Sequence, residues 1–416
     1  MTEASPRPSY RALLGVPYLG RALLGMQTSR IAQSMIGLAL VLFTLAHYHS
    51  PELAGIVTFA GIAPGLLVSP IAGALLDRHG RIRLITLDFL IAADSYALIG
   101  GLALADRLPA WLLVVIAAAS SITGPLSATG LRSLFPLMAP RHLWERVNAI
   151  DANGYVVAQI VGPPAAAVLI GLLGGPLALV GMGLLYGLAA TIISTVREPE
   201  TETATSGRLL VDAWQGLLYT WRNRTLRGLG FSITTLNIGG GIQSIALPLI
   251  ILNRLGLGAA AVGLVYALQG VFGLVAGLLA GRLDTRGRER TLMAVPMVLM
   301  AAAMALFIPN AGVTPLLIAM ALIGLITGPM DVAMFTVRQR RTDPAWMGRA
   351  FAISMSFNFA GYPIGAAIGG FVAAQSTELA IGIAIVATLL GAALARWQIP
   401  VVDRASAPAE SKPAAR

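Results

Sequence analysis

This 416-residue chain contains no cysteine. That absence excludes disulfides, iron–sulfur clusters and thiolate chemistry, and it leaves the redox compartment open. Lysine is almost missing too, since Lys412 is the only one among 29 basic side chains. Without a lysine ahead of the tail there is no Walker loop, so ATP cannot be held in that way. The four histidines, His47, His49, His79 and His142, lack metal-ligand spacing. No G-x-S-x-G elbow is present either. Charge of any sign is scarce at 12%, against 56% hydrophobic residues. A soluble fold could not cover so much apolar surface, and composition overrides the two or three soluble domains that length alone would suggest. The chain reads as an integral membrane protein.

Runs of about 20 apolar residues are long enough to span a bilayer as helices. Twelve are expected, near 23–46, 52–76, 84–105, 110–131, 147–173, 176–196, 228–252, 259–281, 291–309, 313–337, 350–374 and 377–395. The fold class is therefore all-α and membrane-spanning. The arginine and lysine tally, read from the N-terminal tail through eleven loops to the C-terminal tail, is 3, 0, 3, 1, 3, 0, 5, 1, 4, 0, 4, 0, 4. Basic and nearly empty segments alternate, which places both termini in the cytoplasm. The same alternation argues against nucleic acid as the partner of the net charge of +10. No short apolar core with a small-residue cleavage site follows Arg7, Arg11 and Arg21, so the first helix is expected to stay in place.

The organisation follows: a tail over 1–22, a first half over 23–197, a linker over 198–227, a second half over 228–398 and a tail over 399–416. The linker opens on the polar stretch from Glu198 to Gly207, which has nothing to bury. Leu210, Trp214, Leu217 and Trp221 then recur at helical spacing among arginines, as in an amphipathic helix lying on the inner leaflet. The second tail, rich in alanine, serine and proline, reads as disordered.

One short loop stands out between apolar runs: Gly73, then Asp77-Arg78-His79-Gly80-Arg81-Ile82-Arg83. Its core recurs as Asp284, Gly287, Arg288 and Arg290, with Asp284 lying 207 residues after Asp77. Half of the chain thus looks like a copy of the other half. The motif resembles the loop between the second and third helices of major facilitator superfamily transporters, and the resemblance extends from about Tyr18 to Trp397. It implies two pseudo-symmetric six-helix bundles with substrate bound between them, and a gating role for Gly73, Asp77, Arg78, Gly80, Arg81, Arg83, Asp284, Gly287 and Arg288. Asp77 would latch the cytoplasmic side to the eleventh helix. Enforcing topology is an alternative job for the arginines.

Ionisable residues inside a membrane are expensive and mark function by default. Arg30, Asp88, Asp94, Asp151 and Asp331 are the candidates. Asp94 lies about ten residues, or about 15 Å, into its helix, which puts it near the midplane as a proton-coupling candidate. A structural hydrogen bond to a neighbouring helix is the alternative. Arg30 falls in Ser29-Arg30-Ile31-Ala32-Gln33, similar to an exporter S-R-x-G-D segment but with Gln33 in place of the aspartate. Snorkelling to the inner surface is a second reading for Arg30. The fifth helix carries Asn148, Asp151, Tyr155, Gln159 and Gly162 along one stripe, and the eleventh carries Ser354, Asn358, Tyr362, Gly365 and Gly369. Polar stripes of this kind face a cavity or hold helices together. Gly162-Pro163 keeps only the centre of an antiporter-associated motif, and Gly361 and Gly365 flank its mirror. An antiporter arginine expected in the fourth helix is replaced by Ser120. The full set of cavity candidates is Gln27, Arg30, Gln33, Asp151, Gln159, Asn237, Gln243, Gln269, Asn358 and Tyr362.

The function expected is proton-coupled export of an amphipathic organic small molecule, without metal or organic cofactor, by a monomer in the bacterial inner membrane among its lipids. An importer or facilitator is the rival within the class. A non-transporting sensor or membrane enzyme is the rival outside it, and it lacks a catalytic set or an additional domain.

Overall fold

The computed structural model describes residues 10–13, 15–198, 209–280, 287–308, 312–343 and 346–400, and contains no strand among them. The first series of helices is α1 (Tyr10–Leu13), α2 (Leu19–Tyr48), α3 (Pro51–Ala60), α4 (Ala63–His79), α5 (Arg81–Leu104), α6 (Ala110–Met138), α7 (Trp144–Leu173) and α8 (Gly175–Ser194). The second is α9 (Leu209–Arg222), α10 (Arg224–Leu249), α11 (Ala259–Ala280), α12 (Glu289–Ala305), α13 (Val313–Arg340), α14 (Met347–Ala373) and α15 (Thr377–Gln398). Ten helical segments among the described residues are long and apolar enough to cross a membrane. The 17-residue α12 and the 27-residue α14 occupy the other two apolar runs.

Local chemistry sets many of the boundaries. Ser50 Oγ accepts from the Leu53 amide at 3.1 Å and Pro51 opens α3, so a capping hydroxyl and a preset φ start the helix together. Ser376 caps α15 in the same way, and Asn223 Oδ1 accepts from Thr225 and Leu226 at the start of α10. The expected second span is divided: α3 ends before Gly61 and α4 restarts at Ala63 with Pro64 in its first turn. The expected fourth span of 110–131 runs on to Met138, through Pro136, because its last turns bury Leu134 and Phe135 completely or nearly so. After α10 the chain adds a π-helical turn, Ile250–Arg254.

Bulky apolar side chains cover the outside, with Leu67, Leu172 and Leu278 all more than 70% exposed. An apolar outside of this extent is costly in water, and a hydrocarbon solvent removes the cost. Inside, helix pairings repeat between the series. α2 packs on α7 and α8, as α10 packs on α14 and α15. Likewise α4 packs on α6 and α5 on α6 and α8, as α11 packs on α13 and α12 on α13 and α15. The two series meet where α3 crosses α14 and α7 crosses α11.

Those crossings are not level along the molecule. Near the α2–α3 turn, one apolar cluster joins Leu42, Leu45 and Ala54 to Ile245, Ile251 and Ala366. There a Cβ on Gly370 would lie 3.0 Å from the Gly55 Cα, so the two backbones touch. Toward the opposite end, the buried apolar residues fall into separate clusters for the two series. The molecule is shut at the α2–α3 end, and its core divides toward the other.

α9 lies at the divided end and docks on the second series. The Tyr219 ring stacks on Trp346 at 5.0 Å, and Asn223 Nδ2 donates to the Arg341 carbonyl at 3.0 Å. Trp214 and Trp221, seven residues apart on one face, remain exposed.

Candidate functional site

A cavity of about 310 Å³ sits between the two series. α2 contributes Arg30, Gln33, Ser34, Gly37, Leu38 and Val41, and α7 contributes Tyr155, Ala158, Gln159 and Pro163. Ser244 from α10, Tyr266 from α11 and Tyr362 from α14 close the other wall. Of the residues the sequence put forward for a cavity, Arg30, Gln33, Gln159 and Tyr362 are therefore brought together here.

The charged corner is built across α2 and α7. Arg30 donates through Nη1 to the Asp151 carbonyl at 2.6 Å and through Nη2 to the Asp151 carboxylate at 2.5 Å. Arg132 approaches the second carboxylate oxygen at 3.9 Å. The Arg30 guanidinium also lies 5.9 Å from the Tyr155 ring, within cation–π range. Beside it Ser34 Oγ donates to Gln159 Oε1 at 3.2 Å, and Gln27 Nε2 donates to the Gly154 carbonyl at 3.0 Å.

The same turns recur 207 residues later with amides in place of the ion pair. Asn237 stands where Arg30 stands and donates to the Asn358 carbonyl at 2.7 Å, as Arg30 does to Asp151. Thr234, the counterpart of Gln27, donates to the Phe357 carbonyl at 2.7 Å. Gly162 packs on Ser34 and Met35, and its counterpart Gly369 packs on Ile242. Gly361 and Gly365 lie against the backbone of Thr234 and Ile238, where a side chain would overlap main-chain atoms. Tyr155 and Tyr362, counterparts as well, both face the cavity.

Other expected residues stand elsewhere. Gln243 is buried against Met320 Sδ at 3.6 Å, and the half-buried Gln269 does not line the cavity. Asn358 is buried beside Arg338 and Met334 rather than in the cavity. Asp94 shares an exposed face of α5 with Leu87, Leu90 and Leu98 and is not among the cavity-lining residues. Asp88, on the same helix, is buried and faces the hydroxyls of Thr123 and Ser127. Sequence reasoning did not single out Ser34, Gly37, Ser244 or Tyr266. Ser34 and Gln33 adjoin Arg30 on α2, and Ser244 and Gly37 are counterparts at the 207 offset, so repeat symmetry was the available signal for them.

The loop motif forms a compact ionic cluster. Asp77 lies in the last turn of α4 and pairs with Arg81 at 2.5 Å. Arg81 also pairs with Glu198 at 3.2 Å and donates to Ser133 at 3.1 Å. The carboxylate at a helix N-terminus is Glu198, which accepts from the Arg81 and Ile82 amides that open α5 at 2.7 and 3.2 Å. Gly80 turns the chain there at φ +87°, and a Cβ on Gly73 would meet open space. Asp284 lies outside the described residues, while Gly287 and Arg288 are exposed.

The sequence matches the Major Facilitator Superfamily over residues 22–238 and again over 229–416. It is 38% identical to the uncharacterized MFS-type transporter y4rN of Sinorhizobium fredii, covering 94% of this chain and 97% of that one. It is 26% identical to the multidrug efflux pump Tap of Mycobacterium tuberculosis, covering 89% and 92%. Among solved structures it is similar to a bacterial homologue of the human lysosomal transporter Spinster in an inward-facing, occupied conformation. There the TM-score is 0.72 at 15% identity, covering 94% of this chain and 97% of that one. Two family matches in tandem account for the recurring turns, and the chain belongs to the Major Facilitator Superfamily as a membrane transporter, not an enzyme.

Proposed function

We propose that the chain spans the membrane twelve times as two six-helix bundles and exports amphipathic organic molecules by alternating access. Protons moving inward supply the energy. The observation that carries this reading is a cavity lined from both helix series and lying below a shut end. Rocking about the α3–α14 and α7–α11 crossings would open that end and close the other. The arginine alternation supports a cytoplasmic side for the divided end, α9 and both termini in a bacterial inner membrane, and with it an inward-facing reading of this state. Asp77 is held by Arg81, ready to latch when the cytoplasmic side closes. Similarity to Tap favours export over import.

Two carboxylates on α5 are candidates for the coupling proton. Asp94 has the depth, and Asp88 has the burial and the hydroxyl neighbours. We assign the proton to Asp88, because a group open to hydrocarbon on its outer face has no route to the cavity except through α5. The test is gradient-driven accumulation of an amphipathic dye in inside-out vesicles. Accumulation in wild type that Asp88→Asn abolishes and Asp94→Asn spares is the expected result. Loss in Asp94→Asn alone would return the proton to that residue, and no response of the wild type to an imposed pH gradient would refute proton coupling.

A further inference from the structure

We propose that the cavity selects flat aromatic molecules that carry hydrogen-bond acceptors and no net positive charge. This rests on the cavity being the transport site proposed above. Its shape supplies the aromatic part: about 310 Å³ bounded by three tyrosines, Tyr155, Tyr266 and Tyr362, with Leu38 and Val41 between them. That volume falls at the lower end for drug-sized ligands and suits three fused rings. Rings of this size stack or pack edge-on against tyrosine.

The polar lining supplies the charge preference. Arg30 is the single charged residue among the described lining residues, and no carboxylate joins it there. Asp151, the nearest acid, turns one oxygen to Arg30 at 2.5 Å and the other toward Arg132 at 3.9 Å. A cationic ligand would therefore enter beside a guanidinium and find no acidic partner on the wall. Of the three tyrosines, the one on the Arg30 wall, Tyr155, already lies beside the guanidinium. The remaining polar groups, the phenol hydroxyls, the Ser34 and Ser244 hydroxyls and the Gln33 and Gln159 amides, include donors for carbonyl, phenolate or carboxylate oxygens. An anionic or neutral acceptor-rich ring system meets donors on both walls, whereas a cation meets the Arg30 guanidinium with no carboxylate on the wall to offset it.

Fluorescein and rhodamine 123 share a three-ring xanthene core but are respectively anionic and cationic at neutral pH, so the pair isolates charge from shape. Binding to the full chain in lipid nanodiscs is read by fluorescence anisotropy. Fluorescein is expected to bind at least about tenfold more tightly than rhodamine 123. Arg30→Gln should erase the difference, and Asp151→Asn should widen it by leaving the guanidinium uncompensated. A double variant, Arg30→Gln with Asp151→Asn, guards against misfolding because it imitates the uncharged Asn237–Asn358 turn of the other series. It should melt as a folded protein and bind both dyes alike. Equal binding by the wild type, tighter rhodamine binding, or binding of neither dye overturns the proposal. Flux of the bound dye in proteoliposomes tests the transport reading separately: binding without flux refutes transport and leaves the charge preference intact.

Discussion

Arg30 and Asn237 occupy equivalent turns, yet only one brings a charge into the membrane. The Arg30–Asp151 pair is largely shielded, with side chains 11% and 18% exposed, so each ion depends on the other for compensation. Removing one partner of such a pair destabilises by about 3 kcal/mol, while removing both costs far less. Arg30→Asn should therefore lower the melting temperature in detergent more than the double variant Arg30→Asn with Asp151→Asn. Additive losses would mean the two side chains act independently. Glu198 carries a similar load at the head of α5, where it accepts two backbone amides and pairs with Arg81. Glu198→Gln keeps an acceptor but loses the charge, and is expected to cost about 1 kcal/mol of stability. An unchanged melting temperature would mean that solvent caps α5 equally well. The sequence identified Arg30, Asp151 and their stripe because charge inside an apolar run is conspicuous. It could not separate Gln33 from Gln243 or Gln269, since which flank of a helix meets the cavity is decided by packing and not by composition. Asp94 shows the same limit: its place on the exposed face of α5 was not legible.

Helices are where the sequence speaks most plainly, because hydrocarbon imposes length and polarity on every span. The divided second span and the extension of α6 to Met138 escape that rule, since both arise from local chain geometry and contacts with neighbours. The small-residue motifs also split into two kinds that look alike in sequence. Gly365 and Gly361 on α14 press against the α10 backbone, and Gly65 presses against the Ser121 carbonyl, so the missing side chain is what permits the crossing. Gly73, one helical stripe along from Gly65, faces open space. Gly365→Ala should force α10 and α14 apart, costing about 3 kcal/mol and lowering the yield of folded protein. Gly73→Ala should fold normally, and any defect it shows should fall on transport rate. If both variants melt like wild type, the α10–α14 contact is looser than its geometry implies.

At the scale of the whole molecule, tandem similarity and repeated pairings set one question: which contacts must break in each cycle. α2 with α7, and α10 with α14, cross within a series through backbone-level contacts that include the Arg30 and Asn237 turns. The contacts between series differ in kind. α3 meets α14 through Gly55 and Gly370, supported by an apolar cluster with no charge pair bridging it among the described residues, and such a surface can part without stranding an ion in lipid. Within-series contacts are therefore expected to persist while the α3–α14 end opens and closes. Because the chain has no cysteine, the expectation can be tested with introduced thiols alone. Glu52→Cys on α3 and Ala374→Cys just after α14 stand at the shut end, where the Glu52 Cα would lie 3.2 Å from a Cβ on Gly370. Joining them with a short, reducible bifunctional reagent should hold the shut end closed and cut dye flux at least about tenfold, with recovery on reduction. The cross-linked protein should still bind dye from the cytoplasmic side, which separates a locked carrier from a damaged one. Undiminished flux with complete cross-linking would show that substrate leaves by a path not passing between α3 and α14, and the rocking of one helix series against the other would have to be abandoned.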